Sequence, residues 1–187
     1  MELKVNYYLI VLILVIGVLE GCTTVAPQYQ PSFDNVQKLK ESGNIVASVG
    51  VVTAGSDKVN SLTIRSGSFQ SPYDGSYAQY VQEALQQELY DAERFSKDAE
   101  VQVSGVLVSN EIDAAGFSIG TADIEAKFVV RKVDDVRYEK VHKAHHEWPS
   151  SFVGAIAIPK AVQEYMVVVQ KLLGSLYADP AFHEALK

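Results

Sequence analysis

Ala122-Asp123-Ile124-Glu125-Ala126-Lys127-Phe128-Val129-Val130-Arg131 is the stretch that decides the fold class. Ala122, Ile124, Ala126, Phe128 and Val130 share one parity, while Asp123, Glu125, Lys127 and Arg131 share the other. Side chains of a strand alternate between faces, so this pattern predicts a strand with one side in a core and the other in water. Such half-buried strands pair antiparallel, because parallel sheets are normally covered on both faces. Glu100 to Ile112 sets Val101, Val103 and Leu107 against Gln102 and Ser104, which predicts a neighbouring strand. Arg137 to Trp148 predicts a third, after an Asp134-Asp135 turn.

Two helical patterns flank these strands. Tyr77, Tyr80, Val81, Ala84, Leu85, Leu89 and Ala92 form one apolar stripe, with Gln79, Gln82, Glu83, Gln86, Gln87 and Asp91 on the wet side. Ser76 and Gln79 make a capping-box pair at its start. Pro159 predicts the first position of a second helix, where its missing amide is harmless. Val162, Tyr165, Met166, Val169, Leu172, Leu173 and Leu176 are its buried stripe, and Val167 and Val168 extend its apolar surface toward another chain. Asp179-Pro180 predicts a short last helix through Ala185. Upstream, Ile45 to Thr53 and Val59 to Arg65 read as strands joined through a Gly-Ser-Asp turn, and Ser66 to Gly75 as a loop. The order β-β-α-β-β-β-α-α predicts an α+β domain over 44–187, a mainly antiparallel sheet with two helices packed on one face.

The front of the chain has a different composition. Lys4 precedes Tyr7 to Leu19, an apolar run without a charge. It falls short of the roughly 20 apolar residues that span a bilayer and has the length of a secretory h-region. Leu19-Glu20-Gly21-Cys22 then resembles the lipobox of bacterial lipoproteins, with Glu20 standing where that pattern has a small uncharged residue. The resemblance implies that residues 1–21 are a signal peptide. It also implies that Cys22 carries a thioether-linked diacylglycerol and an N-acyl chain, palmitate among them. Cys22 is the only cysteine, so no internal disulfide competes for it and lipidation removes a reactive thiol from an oxidising compartment. Several acyl chains, at about 0.8 kcal/mol per buried CH₂, hold such a product on a membrane. Thr23 to Gly43, with Pro27 and Pro31 and no hydrophobic period, reads as a flexible tether, with one helical turn through Phe33, Val36 and Leu39.

Net charge is −7 for the whole chain. An acidic surface argues against nucleic acid and against electrostatic attachment to anionic lipid. Gly116-Phe117-Ser118-Ile119-Gly120 matches G-x-S-x-G, but a nucleophile elbow needs a strand before its serine and a helix after it. Here a strand follows, so the glycines predict a hairpin or strand start, and a hydrolase would rest on Ser118 alone. His142, His145, His146 and Glu147 are the only histidine cluster. His142 and His146 lie about 13 Å apart on a strand at roughly 3.3 Å per residue, too far for one metal shell. The expected cofactor set is therefore none beyond the acyl chains, with no metal.

Two loops carry aromatic residues suited to contact. Tyr73 and Tyr77, in Ser71-Pro72-Tyr73-Asp74-Gly75-Ser76-Tyr77, read either as a recognition loop or as core-edge cover at a helix start. Trp148, Phe152, Ile156 and Ile158 read either as core closure or as a partner groove.

From Ser61 onward, several stretches resemble a group of uncharacterised proteobacterial lipoproteins. They include Ser61-Leu62-Thr63-Ile64-Arg65, Ser104-Gly105-Val106-Leu107, His146-Glu147-Trp148, Gly154-Ala155-Ile156-Ala157-Ile158-Pro159 and Leu176-Tyr177-Ala178-Asp179-Pro180. The layout is similar to YajG-type lipoproteins and, more distantly and by architecture alone, to the auxiliary lipoproteins of ABC-type lipid transporters. The resemblance implies an envelope-facing domain without transferable catalytic residues, and Thr23 after the cysteine implies the periplasmic face of the outer membrane. The expected function is a lipid-anchored, non-enzymatic binding or assembly module with a membrane attachment and an envelope protein partner. The alternative is a transport-associated lipoprotein that holds a lipid or apolar molecule beside Ile156 and Ile158.

Overall fold

The structure, a computed structural model, describes residues 23–187. The signal peptide and Cys22 lie outside the described residues. The chain builds β1 (Thr23–Val25), α1 (Phe33–Glu41), β2 (Ser48–Ala54), a 3₁₀ turn (Asp57–Asn60), β3 (Leu62–Ile64) and β4 (Gly67–Gln70). Then come α2 (Tyr77–Asp91), β5 (Val101–Asp113), β6 (Ile119–Lys132), β7 (Asp135–Pro149), α3 (Gly154–Tyr177) and α4 (Pro180–Leu186).

The α+β class and the general run of elements match expectation; the sheet does not. Two mixed sheets replace one mainly antiparallel sheet. The larger has the order β2-β5-β6-β7, with β5, β6 and β7 antiparallel but β2 parallel to β5. The chain between β2 and β5 is long enough for the crossover that parallel pairing requires. The smaller has the order β1-β4-β3, with β1 parallel to β4. Its β3–β4 hairpin turns on Arg65 and Ser66, both at positive φ (49° and 70°). Two-residue hairpin turns favour that conformation, but Asn and Gly usually supply it.

The described residues hold four α-helices, not two. α2 packs on β2 and β5, and α3 on β6 and β7, with α4 across the end of the same two strands. The expected α2 stripe is buried from Tyr77 to Ala92, and so is the inward parity of β6 from Ala122 to Val130. Only half of the capping box forms. Ser76 Oγ accepts from the Gln79 amide at 3.2 Å, while the Ser76 amide donates to Tyr73 O. Helix α3 begins five residues before Pro159, and Val168 is fully buried in the core rather than extending a surface.

Residues 23–43 are docked, which corrects the tether. β1 pairs with β4, Tyr29 is buried, and α1 lies against α2 and α3. The fastener is Glu88, fully buried on α2. Its carboxylate accepts from Tyr29 Oη (2.6 Å), the Ser32 amide (3.0 Å) and Asn35 Nδ2 (3.1 and 3.2 Å). Asn35 also donates to Gln170 O on α3 at 2.8 Å. Burial raises the Glu88 carboxyl above its usual range, and these donors only partly offset it. One buried acid thus joins the polar N-terminal segment to both long helices.

Candidate functional site

At one end of the large sheet, the β5–β6 turn and the β7–α3 connector come side by side. The residues that face water there are apolar. Phe117 is 76% exposed, Phe152 69%, Ile156 61%, Ile119 53% and Val153 52%. The Phe117 and Phe152 rings stack with centroids 5.2 Å apart and planes at 4°. Exposed apolar side chains are ordinary when scattered; a stacked aromatic pair beside three aliphatics forms a patch.

Arg65 holds this end in shape. From the β3–β4 turn its Nε donates to Ala114 O at 2.8 Å and one terminal nitrogen to Phe152 O at 2.6 Å, while the other donates to Ser151 O. The guanidinium fork is thereby committed to backbone carbonyls of both loops, and the patch sits on a braced platform.

The residues expected to make contacts divide sharply. Phe152 and Ile156 belong to the exposed patch, and Ile158 is half-buried against the core. Tyr77 and Trp148 do not offer a surface: Tyr77 is fully buried and Trp148 is 3% exposed. Tyr77 packs at 4.9 Å from the Tyr165 ring centroid. Trp148 pairs across from Gly120, where an added Cβ would stand 2.5 Å from its indole Cε2. The glycine is needed there so that the ring can lie across the strand. Tyr73 is half-buried and stacks edge-on with Tyr80 at 5.6 Å, covering the core edge. The loop readings thus resolve to core cover for Tyr73, Tyr77 and Trp148. Phe117, which the sequence offers only as part of a G-x-S-x-G match, joins this exposed patch through its stacking on Phe152.

That match has the wrong surroundings for a nucleophile elbow. Ser118 lies in the turn before β6, its carbonyl accepts from the Ser150 amide at 2.8 Å, and a strand follows it. A second polar set lies at the far end of the sheet. His142 Nε2 is 2.6 Å from Tyr138 Oη, its Nδ1 is 3.1 Å from Ser175 Oγ, and Tyr138 donates to Asp179 at 3.0 Å. Ser175 donates to Leu172 O of its own helix at 2.7 Å, and His142 is 7% exposed, so this set fastens α3 and α4 to β7. Burial holds His142 below its usual pKa, opposed by Asp179 and reinforced by Lys140. Asp179 is lowered to about 2, first by the Lys140 ammonium at 2.7 Å.

The other histidines separate across the sheet. His145 lies on the exposed face between Asp123 (2.7 Å) and Glu147 (3.2 Å), which raise its pKa. His146 turns inward to Glu164 at 2.6 Å, with Lys171 Nζ 2.9 Å from its other nitrogen. Among the described residues no group of three or more His, Cys, Asp or Glu is placed to hold a metal ion. An open groove of about 490 Å³ runs between residues 56–63 and Val108 to Ile112, lined by polar and apolar side chains alike, such as Ser61, Thr63, Leu62 and Ile112; Ile156 and Ile158 are not part of it.

The fold has a counterpart among solved structures. The chain is similar in fold to XCC0632 of Xanthomonas campestris, a protein described by the family model DUF330. The TM-score is 0.55 at 14% identity, over 83% of this chain and 94% of that one. A hypothetical protein of Chlamydia trachomatis, CT253, aligns with a TM-score of 0.45 at 9% identity, over 71% of this chain and 92% of that one. No protein-family model and no curated protein matches the sequence significantly. The DUF330 likeness bears on the fold alone. Among the described residues no helix is long and apolar enough to cross a membrane.

Proposed function

We propose that this chain is a lipid-anchored protein of the bacterial cell envelope, held through Cys22, that acts as a non-enzymatic binding or assembly module. The observation that carries the reading is the sequence Leu19-Glu20-Gly21-Cys22 after an uncharged apolar run, in a chain with one cysteine. The resemblance to YajG-type lipoproteins supports the same reading, and Thr23 after the cysteine favours the outer membrane. The absence of an elbow around Ser118 and the buried, internally bonded His142–Ser175 pair support a binding role over hydrolysis. The surface best suited to binding is the Phe117–Phe152–Ile156 end, since Tyr77 and Trp148 are consumed by the core.

The test is metabolic labelling with an alkyne palmitate in the native bacterium. Label on the wild-type chain and none on Cys22→Ala is expected; an unlabelled wild type refutes the anchor. A photo-crosslinking residue at position 152 is expected to capture an envelope component, lipid or protein. Failure to capture either would refute the binding surface.

A further inference from the structure

We infer that the exposed apolar end formed by Phe117, Ile119, Phe152, Val153 and Ile156 is the surface on which the domain rests against the bilayer that holds its Cys22 lipid. The inference rests on the lipid-anchor reading and adds which face meets the membrane, and how.

The first observation is where the described chain starts. Thr23 pairs with Ser68 in parallel register, so the chain enters the fold one residue after Cys22 with no slack. Ser68 is three residues from Arg65. At about 3.6 Å per residue and roughly 4.8 Å between paired strands, the Cα of Thr23 lies within roughly 16 Å of that of Arg65. Arg65 in turn grips Ala114, Ser151 and Phe152, the backbone of the apolar end. The attachment point and the patch therefore occupy the same end of the molecule. A lipid on Cys22 cannot reach the bilayer while holding this end far from it.

The second observation is composition. Residues 114–122 and 149–159, which form the two loops and run into the starts of β6 and α3, contain no charged side chain, in a chain of which 21% are charged. Among the described residues the cation that braces them, Arg65, is spent on carbonyls. Phenylalanine, isoleucine and valine set among serine, glycine and alanine suit the boundary between headgroups and acyl chains, where apolar groups insert by roughly 5–10 Å. A surface that faced water or a charged partner would gain nothing from this lack of charge. The acidic balance, which persists once residues 1–21 are removed, gives no general attraction to anionic lipid, so the seat works by apolar contact beside a covalent anchor.

The third observation is the far end. The β6–β7 turn at Val133 is separated from Ile119 by the 14-residue strand β6, roughly 45 Å at about 3.3 Å per residue. With the apolar end seated, that turn and the outer face of β5–β7 project into the periplasm.

The experiment uses the full chain, processed and extracted from cells, and reconstituted in phosphatidylethanolamine–phosphatidylglycerol vesicles. A nitroxide is placed at Ile156→Cys, with Val133→Cys as the far-end control. Acylation of Cys22 is verified by mass in each sample. The expected result is loss of collisions with an aqueous nickel chelate and a rise in collisions with oxygen at position 156, with the reverse at 133. Acylated Cys22 with water-exposed labels at both positions overturns the seat while leaving the anchor intact. A bare Cys22 sulfur overturns both. Protection at 156 with spin–spin broadening between copies assigns the patch to a second copy of this chain and overturns the bilayer as its occupant.

Discussion

Replacing Glu88 with alanine removes the acceptor shared by Tyr29, the Ser32 amide and Asn35, and leaves three donors at a buried seam. Each buried donor left without a partner costs about 1–3 kcal/mol. Two effects offset part of that. Asn35 keeps Gln170 O, and the penalty of burying a carboxylate disappears. Breaking a buried charged network by removing one member typically costs about 3–5 kcal/mol, which we take as the expected loss. For a domain of this size that corresponds to a fall of roughly 10 °C in Tm. The loss should be local before it is global. Amide exchange across Tyr29 to Glu41 should accelerate while β5, β6 and β7 stay protected, because none of Glu88's hydrogen bonds reaches those strands. The pH dependence has a definite sign. The native state raises Glu88 above the ordinary 4.5, so it takes up a proton before the unfolded chain does. Glu88's contribution to stability therefore grows as pH falls from its folded pKa toward 4.5, and Glu88→Gln abolishes that gain. A Glu88→Ala protein with unchanged Tm and unchanged exchange in 29–41 would refute the claim that this acid docks the N-terminal segment.

Other consequences are equally direct. Gly120→Ala drives a methyl into the Trp148 indole and should cost about 1–3 kcal/mol; a red shift of the emission from this sole tryptophan reports it, and unchanged emission and stability would contradict the packing. Asp179→Ala removes the N-cap acceptor of α4 and should cost about 1 kcal/mol, seen as faster exchange in residues 181–186. Because Asp179 is lowered to about 2 from 3.8, its contribution is complete above pH 3.8 and is lost as pH falls toward 2, a dependence the variant should lack. Val133 sits at φ 56° and is 74% exposed in the β6–β7 turn, so Val133→Asn should stabilise by about 0.5–1 kcal/mol in urea melts.

The parts of the fold that the sequence disclosed are those where local pattern and burial agree. β6 alternates cleanly because its two faces meet core and water, and α2 shows its stripe because it lies on a sheet. The docked N-terminus was hidden because its fastening is polar and non-local: Tyr29, Ser32 and Asn35 converge on an acid more than 50 residues away. The β3–β4 hairpin was hidden because Arg65 and Ser66 hold a turn that usually advertises itself with asparagine or glycine. β2 reads from sequence as joined by a short turn to the next strand, because nothing in its own residues encodes parallel pairing with β5. Trp148 could have been placed. It shares strand parity with Tyr138 and His142, and all three point into the core. At the apolar end, Phe152 and Ile156 were legible as uncharged loop residues, whereas Phe117 needed the two loops brought together in space.

Because Thr23 is docked onto β4, the lipid proposed on Cys22 would hold the domain at the surface rather than on a leash. The intact mass and N-terminal fragment spectrum of the protein extracted from native membranes test this most directly. A chain that begins at Cys22 and carries a diacylglyceryl thioether with an amide-linked acyl group is expected. A chain beginning at Met1 with an unmodified thiol would contradict it.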